Sequence, residues 1–177
     1  MKNNNQAIHF IITGGTIDSY YDGSKDTAVV NKESIIPQFI EGLKLDQKST
    51  FTKVCMKDSR ELTRDDLESI LQAVKDSSHK KIVITHGTYT MTDTARFLEA
   101  NLENNNRVII LTGSFIPING FSFSDGPFQL GYAMAKTENL EKGVFICMNG
   151  KVLSANEAMK ISKEGVFSSI FGGGVKF

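Results

Sequence analysis

The run IHFIITGGTID, Ile8–Asp18, decides the architecture. Its first half is a short apolar stretch, Ile8 to Ile12, that reads as a strand ending at Thr13. Its second half, Thr13-Gly14-Gly15-Thr16, loads the strand's carboxyl end with two glycines and two hydroxyls. In open α/β sheets ligands bind outside the carboxyl ends of the strands, near the point where strand order reverses. Glycines there let the main chain approach a ligand closely, and amide N–H groups at such a turn suit a carboxylate or an oxyanion.

The same arrangement recurs along the chain. Strands are expected at Phe51–Met56, Lys81–Thr85, Val108–Thr112 and Val144–Met148, several with near-continuous apolar cores of the kind that are covered on both faces. The first three of these end in Asp58-Ser59, His86-Gly87-Thr88 and Gly113-Ser114. Between strands the apolar period lengthens to that of helices: Ile36, Phe39, Ile40 and Leu43, then Leu67, Ile70, Leu71 and Val74. Thr63 with Asp66 reads as a variant capping box for the second helix. A third helix is expected from Met91 to Leu102, and a fourth from near Asp125 with Pro127 in its first turn, where a missing N–H is harmless. Asn149-Gly150 signals a two-residue hairpin, and the aromatic, Gly and polar mixture from Asp18 to Val30 suggests a mobile hairpin or lid. Strands alternating with helices predict an α/β three-layer sandwich with a mostly parallel sheet.

The 177 residues suit one domain spanning 1–177, and 40% hydrophobic with 23% charged content is the balance of a folded chain. A formal net charge of zero gives no global pull toward nucleic acid or membrane. The basic cluster His79-Lys80-Lys81 reads as a solvated turn. The polar start MKNNNQ and the short apolar run after it match neither a signal segment nor a membrane span, so a cytoplasmic protein is expected. Cys55 and Cys147 read as two buried free thiols of a reducing compartment. No His or Cys pair has metal-ligand spacing, and no GxxxxGK[ST] loop is present, so neither metal nor cofactor is expected. Gly and Thr at strand ends also serve as plain turn residues, a reading equally open from these residues alone.

Two motifs taken together are more specific. TGGTID at Thr13–Asp18 and THGTYTMTDTA at Thr85–Ala95 resemble the two signatures of the L-asparaginase/glutaminase family, at a separation that suits it. The similarity runs on through KDSRELT around Ser59, LTGS at Leu111–Ser114, SDGPFQL at Ser124–Leu130 and the MNGKV hairpin, covering essentially the whole chain. It implies the flavodoxin/Rossmann-like N-terminal domain of that family, in a short branch whose C-terminal domain is absent. It implies Thr16 as the nucleophile toward a side-chain amide, Thr88 as its helper, and Lys160 as the lysine of the family's hydrogen-bonded set. Tyr20, or its neighbour Tyr21, falls where the family's lid tyrosine helps to activate the nucleophile. Gly15, Ser59, Gly87, Tyr89 and Ser114 take the substrate-binding positions, Ser59 that of the residue holding an α-carboxylate. A small amide or amino-acid ligand follows, and a homodimer or higher homo-oligomer as the assembly, with the tail SSIFGGGVKF as a contact or a disordered end.

The chain departs from the motif at Tyr89, where the family has the Asp that binds an α-ammonium. Tyr supplies no negative charge near neutral pH, its ordinary pKa being about 10. Three readings therefore stand: a Thr-dependent hydrolase of asparagine or a related amide, a carboxylate-binding domain without turnover, and a hydrolase of substrates lacking the ammonium. His86, Asp18 and Asp93 are the other titratable groups within the motifs, each with a structural role as its first reading.

Overall fold

The computed structural model describes residues 7–103, 105–120 and 122–172. The stretch MKNNNQ and the last five residues of the tail lie outside them. Six strands form the central sheet: β1 (Ile8–Gly14), β4 (Ser49–Lys57), β5 (Lys81–Thr85), β6 (Val108–Thr112), β7 (Gly143–Met148) and β8 (Lys151–Ser154). Their order is β4-β1-β5-β6-β7-β8, parallel throughout except for β8, which runs antiparallel to β7.

Alternation along the strands sorts the core into two layers. Ile8, Phe10 and Ile12 of β1, Val83 of β5 and Ile110 of β6 face α1 (Ile36–Gly42) and α4 (Gly126–Lys136), which contribute Ile36, Ile40, Leu130, Ala133 and Met134. On the other side Ile11, Ile82, Ile84, Ile109 and Leu111 meet Ile70, Leu71 and Val74 of α2 (Arg64–Asp76) and Ala95 and Leu98 of α3 (Met91–Asn101). Because both faces are covered, the middle strands are continuously apolar from Ile82 to Ile84 and from Val108 to Leu111, which is why their sequences show no polar alternation.

The local signals hold. Thr63 and Asp66 form a reciprocal capping box, and Pro127 lies in the first turn of α4. Asn149 and Gly150 both have positive φ, 55° and 70°, as a tight turn compatible with the sheet's twist requires. Residues 18–30 contain an antiparallel hairpin, β2 (Ser19–Asp22) with β3 (Thr27–Val30). A second hairpin, β9 (Ala158–Ile161) with β10 (Val166–Ser169), falls in a stretch whose short, mixed runs carry no clear period. Both cysteines are free, but only Cys147 is buried; Cys55, on edge strand β4, is half-buried. Lys81 of the basic cluster pairs with Glu138, and His79 stacks on His9, so that turn is less solvated than its composition suggests. No helix among the described residues is long and apolar enough to cross a membrane.

The chain runs from β1 out to β4 and returns to β5 on the other side of β1. The reversal of strand order therefore falls at β1 and β5, whose carboxyl ends carry the two glycine-rich motifs.

Candidate active site

The two motifs meet backbone against backbone. A Cβ on Gly15 would lie 2.3 Å from the Gly87 nitrogen and 2.5 Å from its Cα, and a Cβ on Gly87 would lie 2.7 Å from Ser59 Oγ. A Cβ on Gly113, at the end of β6, would lie 2.3 Å from the His86 carbonyl oxygen. Only hydrogen fits at these three places, so the glycines are what allows four strand ends to converge. Gly15 also has φ 79° and ψ −179°, a conformation open to glycine alone. Its N–H donates to the Lys57 carbonyl at 2.9 Å, so it is spent on the fold and not offered to a ligand.

Thr16 opens a short 3-10 turn, Thr16–Asp18, directly after this contact and is half-buried. Its hydroxyl has no hydrogen-bond partner among the described residues, unlike that of Thr13, which donates to the Thr85 carbonyl at 2.8 Å. Asp18 is fully buried; its Oδ1 accepts from Asn31 Nδ2 at 3.1 Å and from the Ile35 amide at 2.9 Å, tying the hairpin and the start of α1 to the Thr16 turn. Its role is to position that turn. Asp93 is exposed and lies 3.6 Å from Arg96, one turn further along α3.

Thr88 is 5% exposed, and its Oγ1 accepts from Lys160 Nζ at 2.8 Å across 72 residues of sequence. The β9–β10 hairpin delivers that lysine. Phe167, the register partner of Lys160, is buried in the core, and Arg96 of α3 donates to the Ala158 carbonyl at 2.8 Å. Lys160 Nζ also lies 4.0 Å from the centre of the Tyr89 ring and 5.5 Å from that of Phe115. Burial, and next the Arg60 guanidinium, lower its pKa from the usual lysine value, with Asp58 opposing.

Ser59 is buried, and its Oγ accepts from the amides of Tyr89 at 3.2 Å and Thr90 at 3.4 Å, while Thr90 Oγ1 donates to its carbonyl at 2.8 Å. These bonds join the strand end of β4 to that of β5 and leave the Ser59 hydroxyl proton as its remaining donor. Ser114 is buried with its hydroxyl donating to the Ile116 carbonyl at 2.6 Å. Tyr20 is 43% exposed on β2 and lines a cleft of about 530 Å³ with Tyr21, Asn119 and Gly120, apart from the Thr88–Lys160 pair. The Tyr21 hydroxyl donates to Asp26 within the same hairpin.

Tyr89 projects from the pocket, 57% exposed, with the Arg60 guanidinium 4.6 Å from its ring centre. Arg60 in turn holds both oxygens of Asp58, at 2.9 and 2.7 Å. Sequence reasoning passed over Arg60 and Phe115; the available signal was that each directly follows a residue already placed in the site.

His86 is not a base here. Its Nδ1 donates to the Gly87 carbonyl at 2.7 Å, its Nε2 accepts from Thr94 Oγ1 at 2.9 Å, and burial pushes its pKa down to about 4. It is a neutral cross-brace under the motif. Burial also pushes the Cys147 and Cys55 thiols up to about 12 and about 11, far from nucleophilic use. Among the described residues no group of three or more His, Cys, Asp or Glu side chains could hold a metal ion. A cavity of about 650 Å³ beside His9 and His79 lies at the amino end of the strands, away from the motifs.

Residues 7–170 match the family described as asparaginase, N-terminal. The glutaminase-asparaginase of Acinetobacter glutaminasificans is 30% identical over 174 residues, which are 90% of this chain and 50% of that protein. L-asparaginase 2 of Escherichia coli is 34% identical over 87 residues, 48% of this chain and 24% of that one. Among solved structures, the thermostable L-asparaginase from Thermococcus kodakarensis superposes with a TM-score of 0.83 at 26% identity, over 96% of this chain and 54% of that one. The probable cytoplasmic L-asparaginase from Campylobacter jejuni gives 0.78 at 28% identity, over 95% and 54%. The chain thus spans about half the length of these whole-length matches.

Proposed function

From its membership of the asparaginase family, whose N-terminal domain it matches over residues 7–170, we propose that this chain is an amidohydrolase that attacks the amide of L-asparagine or a related small amide through Thr16. The observation that carries the reading is the 2.8 Å contact of Lys160 with Thr88, beside a Thr16 loop packed directly against the Thr88 loop. A lysine with a lowered pKa, hydrogen-bonded to a threonine, is a competent general base once it sheds its proton.

The chemistry is then two displacements. Thr16 Oγ1 adds to the amide carbon as its proton passes to Thr88 and Lys160, and the tetrahedral intermediate collapses with the proton returned to the leaving nitrogen. Ammonia departs and an ester remains on Thr16. Water, deprotonated by the same pair, adds to the ester; the acid leaves and the Thr16 hydroxyl is restored. Ser59 contributes its remaining proton to the ligand's carboxylate, and Gly15 and Gly87 keep the two threonine loops in contact.

Tyr89 favours a second reading. Where the motif supplies an aspartate this chain supplies a neutral ring, and a pocket without turnover that binds a small carboxylate is consistent with that. Ammonia release from L-asparagine, L-glutamine and acid monoamides separates the two, with Thr16→Ala as control. Turnover that vanishes in Thr16→Ala is expected. A folded protein that releases no more ammonia than Thr16→Ala from any of them belongs to the second reading.

A further inference from the structure

The rim of the site carries two cations. Arg60 and Lys160 both lie against the Tyr89 ring, at 4.6 and 4.0 Å from its centre, although they come from segments a hundred residues apart in sequence. The carboxylate beside them, Asp58, is held by Arg60 through both of its oxygens. Glu61 acts on Arg60 as a weaker influence and is not among the groups acting on Lys160. Tyr89 itself contributes a hydroxyl and a π face, not a carboxylate. Cations gather on such a face because the ring's quadrupole attracts them, so Tyr89 concentrates positive charge where an aspartate would have cancelled it.

A ligand group beside Tyr89 therefore meets two cations and a single carboxylate, Asp58, which is paired with Arg60 and leaves one positive charge uncompensated. An ammonium is repelled there. A carboxylate gains charge-assisted hydrogen bonds from a guanidinium and an ammonium.

We infer that the site takes acid monoamides that carry a carboxylate and no ammonium group, with Arg60, and Lys160 while it holds its proton, as the anion contacts and Tyr89 as the residue that sets this choice. The inference rests on the amidohydrolase reading for the reaction but concerns the ligand, so the two can fail separately. It also assigns Arg60 a contact with substrate.

Succinate and L-aspartate are the probes, because they differ only in the ammonium and are the acids left by hydrolysis of succinic monoamide and L-asparagine. Calorimetric titration of the purified protein with each is expected to show succinate bound at least about tenfold more tightly. Arg60→Gln is expected to abolish most of that preference, and Tyr89→Asp, which puts a carboxylate between the two cations, to invert it. Equal or tighter binding of L-aspartate overturns the inference, as does no binding of either acid, or a preference that Arg60→Gln leaves intact. Ammonia release from the two parent amides runs beside the titrations. Selective succinate binding without turnover in either case removes the hydrolase reading and leaves the ligand assignment standing. Thr16-dependent turnover that prefers L-asparagine does the reverse.

Discussion

At the floor of the site, glycines 15 and 113 bring main chain against main chain and Gly87 lies against the Ser59 side chain, with no room for a methyl group; at the rim, Arg60, Tyr89, Phe115 and Lys160 meet through side chains alone. The two regions obey different rules of change. A floor made of such contacts tolerates no side chain, because the colliding atoms are backbone at Gly15 and Gly113 and, at Gly87, a buried Ser59 side chain fixed by its hydrogen bonds. A rim made of long, half-exposed side chains can exchange members while the fold stays as it is. In the proposed function the floor carries the reaction, and the rim is where a chain can change what it binds. Tyr89, the position that reads from the sequence as a departure from the family's motif, falls on the rim.

Gly15→Ala gives that contrast its hardest test. The added methyl would sit 2.3 Å from the Gly87 nitrogen at a backbone conformation that only glycine adopts, so overpacking and dihedral strain act together. A loss of roughly 3–5 kcal/mol of unfolding free energy is expected, enough to leave a marginal domain largely unfolded. Urea unfolding followed by circular dichroism reads it directly. A shift below about 1 kcal/mol would mean that the floor relaxes as easily as the rim, and the comparison would collapse.

This asymmetry also explains what the sequence disclosed. Backbone contacts demand glycine, and glycine at a strand end is visible in a single sequence; the TGGT and HGT motifs, the covered strands, the Thr63–Asp66 capping box and the Asn149-Gly150 turn could all be read for the same reason, a local constraint with a local signature. The rim has no such signature. Arg60, Phe115 and Lys160 come together only after β4, β6 and β9 are in place, and the residues around Arg60 and Phe115 carry no signal beyond their adjacency to Ser59 and Ser114. Lys160 is legible only through family resemblance, because what places its hairpin is the burial of Phe167 opposite it in the core. Ser59 shows the reverse case: a motif residue read as a ligand contact whose oxygen is also a structural acceptor for two amides.

Beneath the floor, His86 makes the comparison measurable by pH. Its imidazole is buried with both nitrogens bonded, and burial holds its pKa near 4, against an ordinary 6.5. Between those values the unfolded chain takes up a proton that the folded one refuses. The stability His86 contributes is therefore complete above pH 6.5, falls as pH drops, and is gone below about 4. The loss is about 3 kcal/mol in all, at up to about 1.4 kcal/mol per pH unit. His9, whose pKa burial and neighbouring His79 also lower, adds to the same window from the far end of β1. Urea midpoints measured at pH 7.5, 6 and 5 are expected to decline in the native chain and less steeply in His86→Gln, whose amide can both donate to Gly87 and accept from Thr94. An unchanged slope in that variant would place the pH dependence elsewhere.

The rim answers to pH through activity and hardly at all through stability. Lys160 must be neutral to take a proton from Thr88, so turnover is expected to rise with pH along a limb that lies below the usual lysine range, since burial and then Arg60 lower its pKa. Arg60→Gln removes one of the two lowering influences and leaves the opposing Asp58 carboxylate without its partner, so the limb should move to higher pH. The same substitution breaks an exposed ion pair and an exposed contact with the Tyr89 ring, and its cost in unfolding free energy is expected to stay within about 1 kcal/mol. Rate–pH profiles of the native chain and Arg60→Gln decide the matter, with urea unfolding at a single pH as the companion measurement. A limb that stays in place would show that Arg60 does not act on the base, whatever it does for the ligand. A limb that moves at nearly constant stability is the behaviour of a side-chain rim set on a backbone floor: its electrostatics can be retuned while the strand ends beneath it remain where the glycines put them.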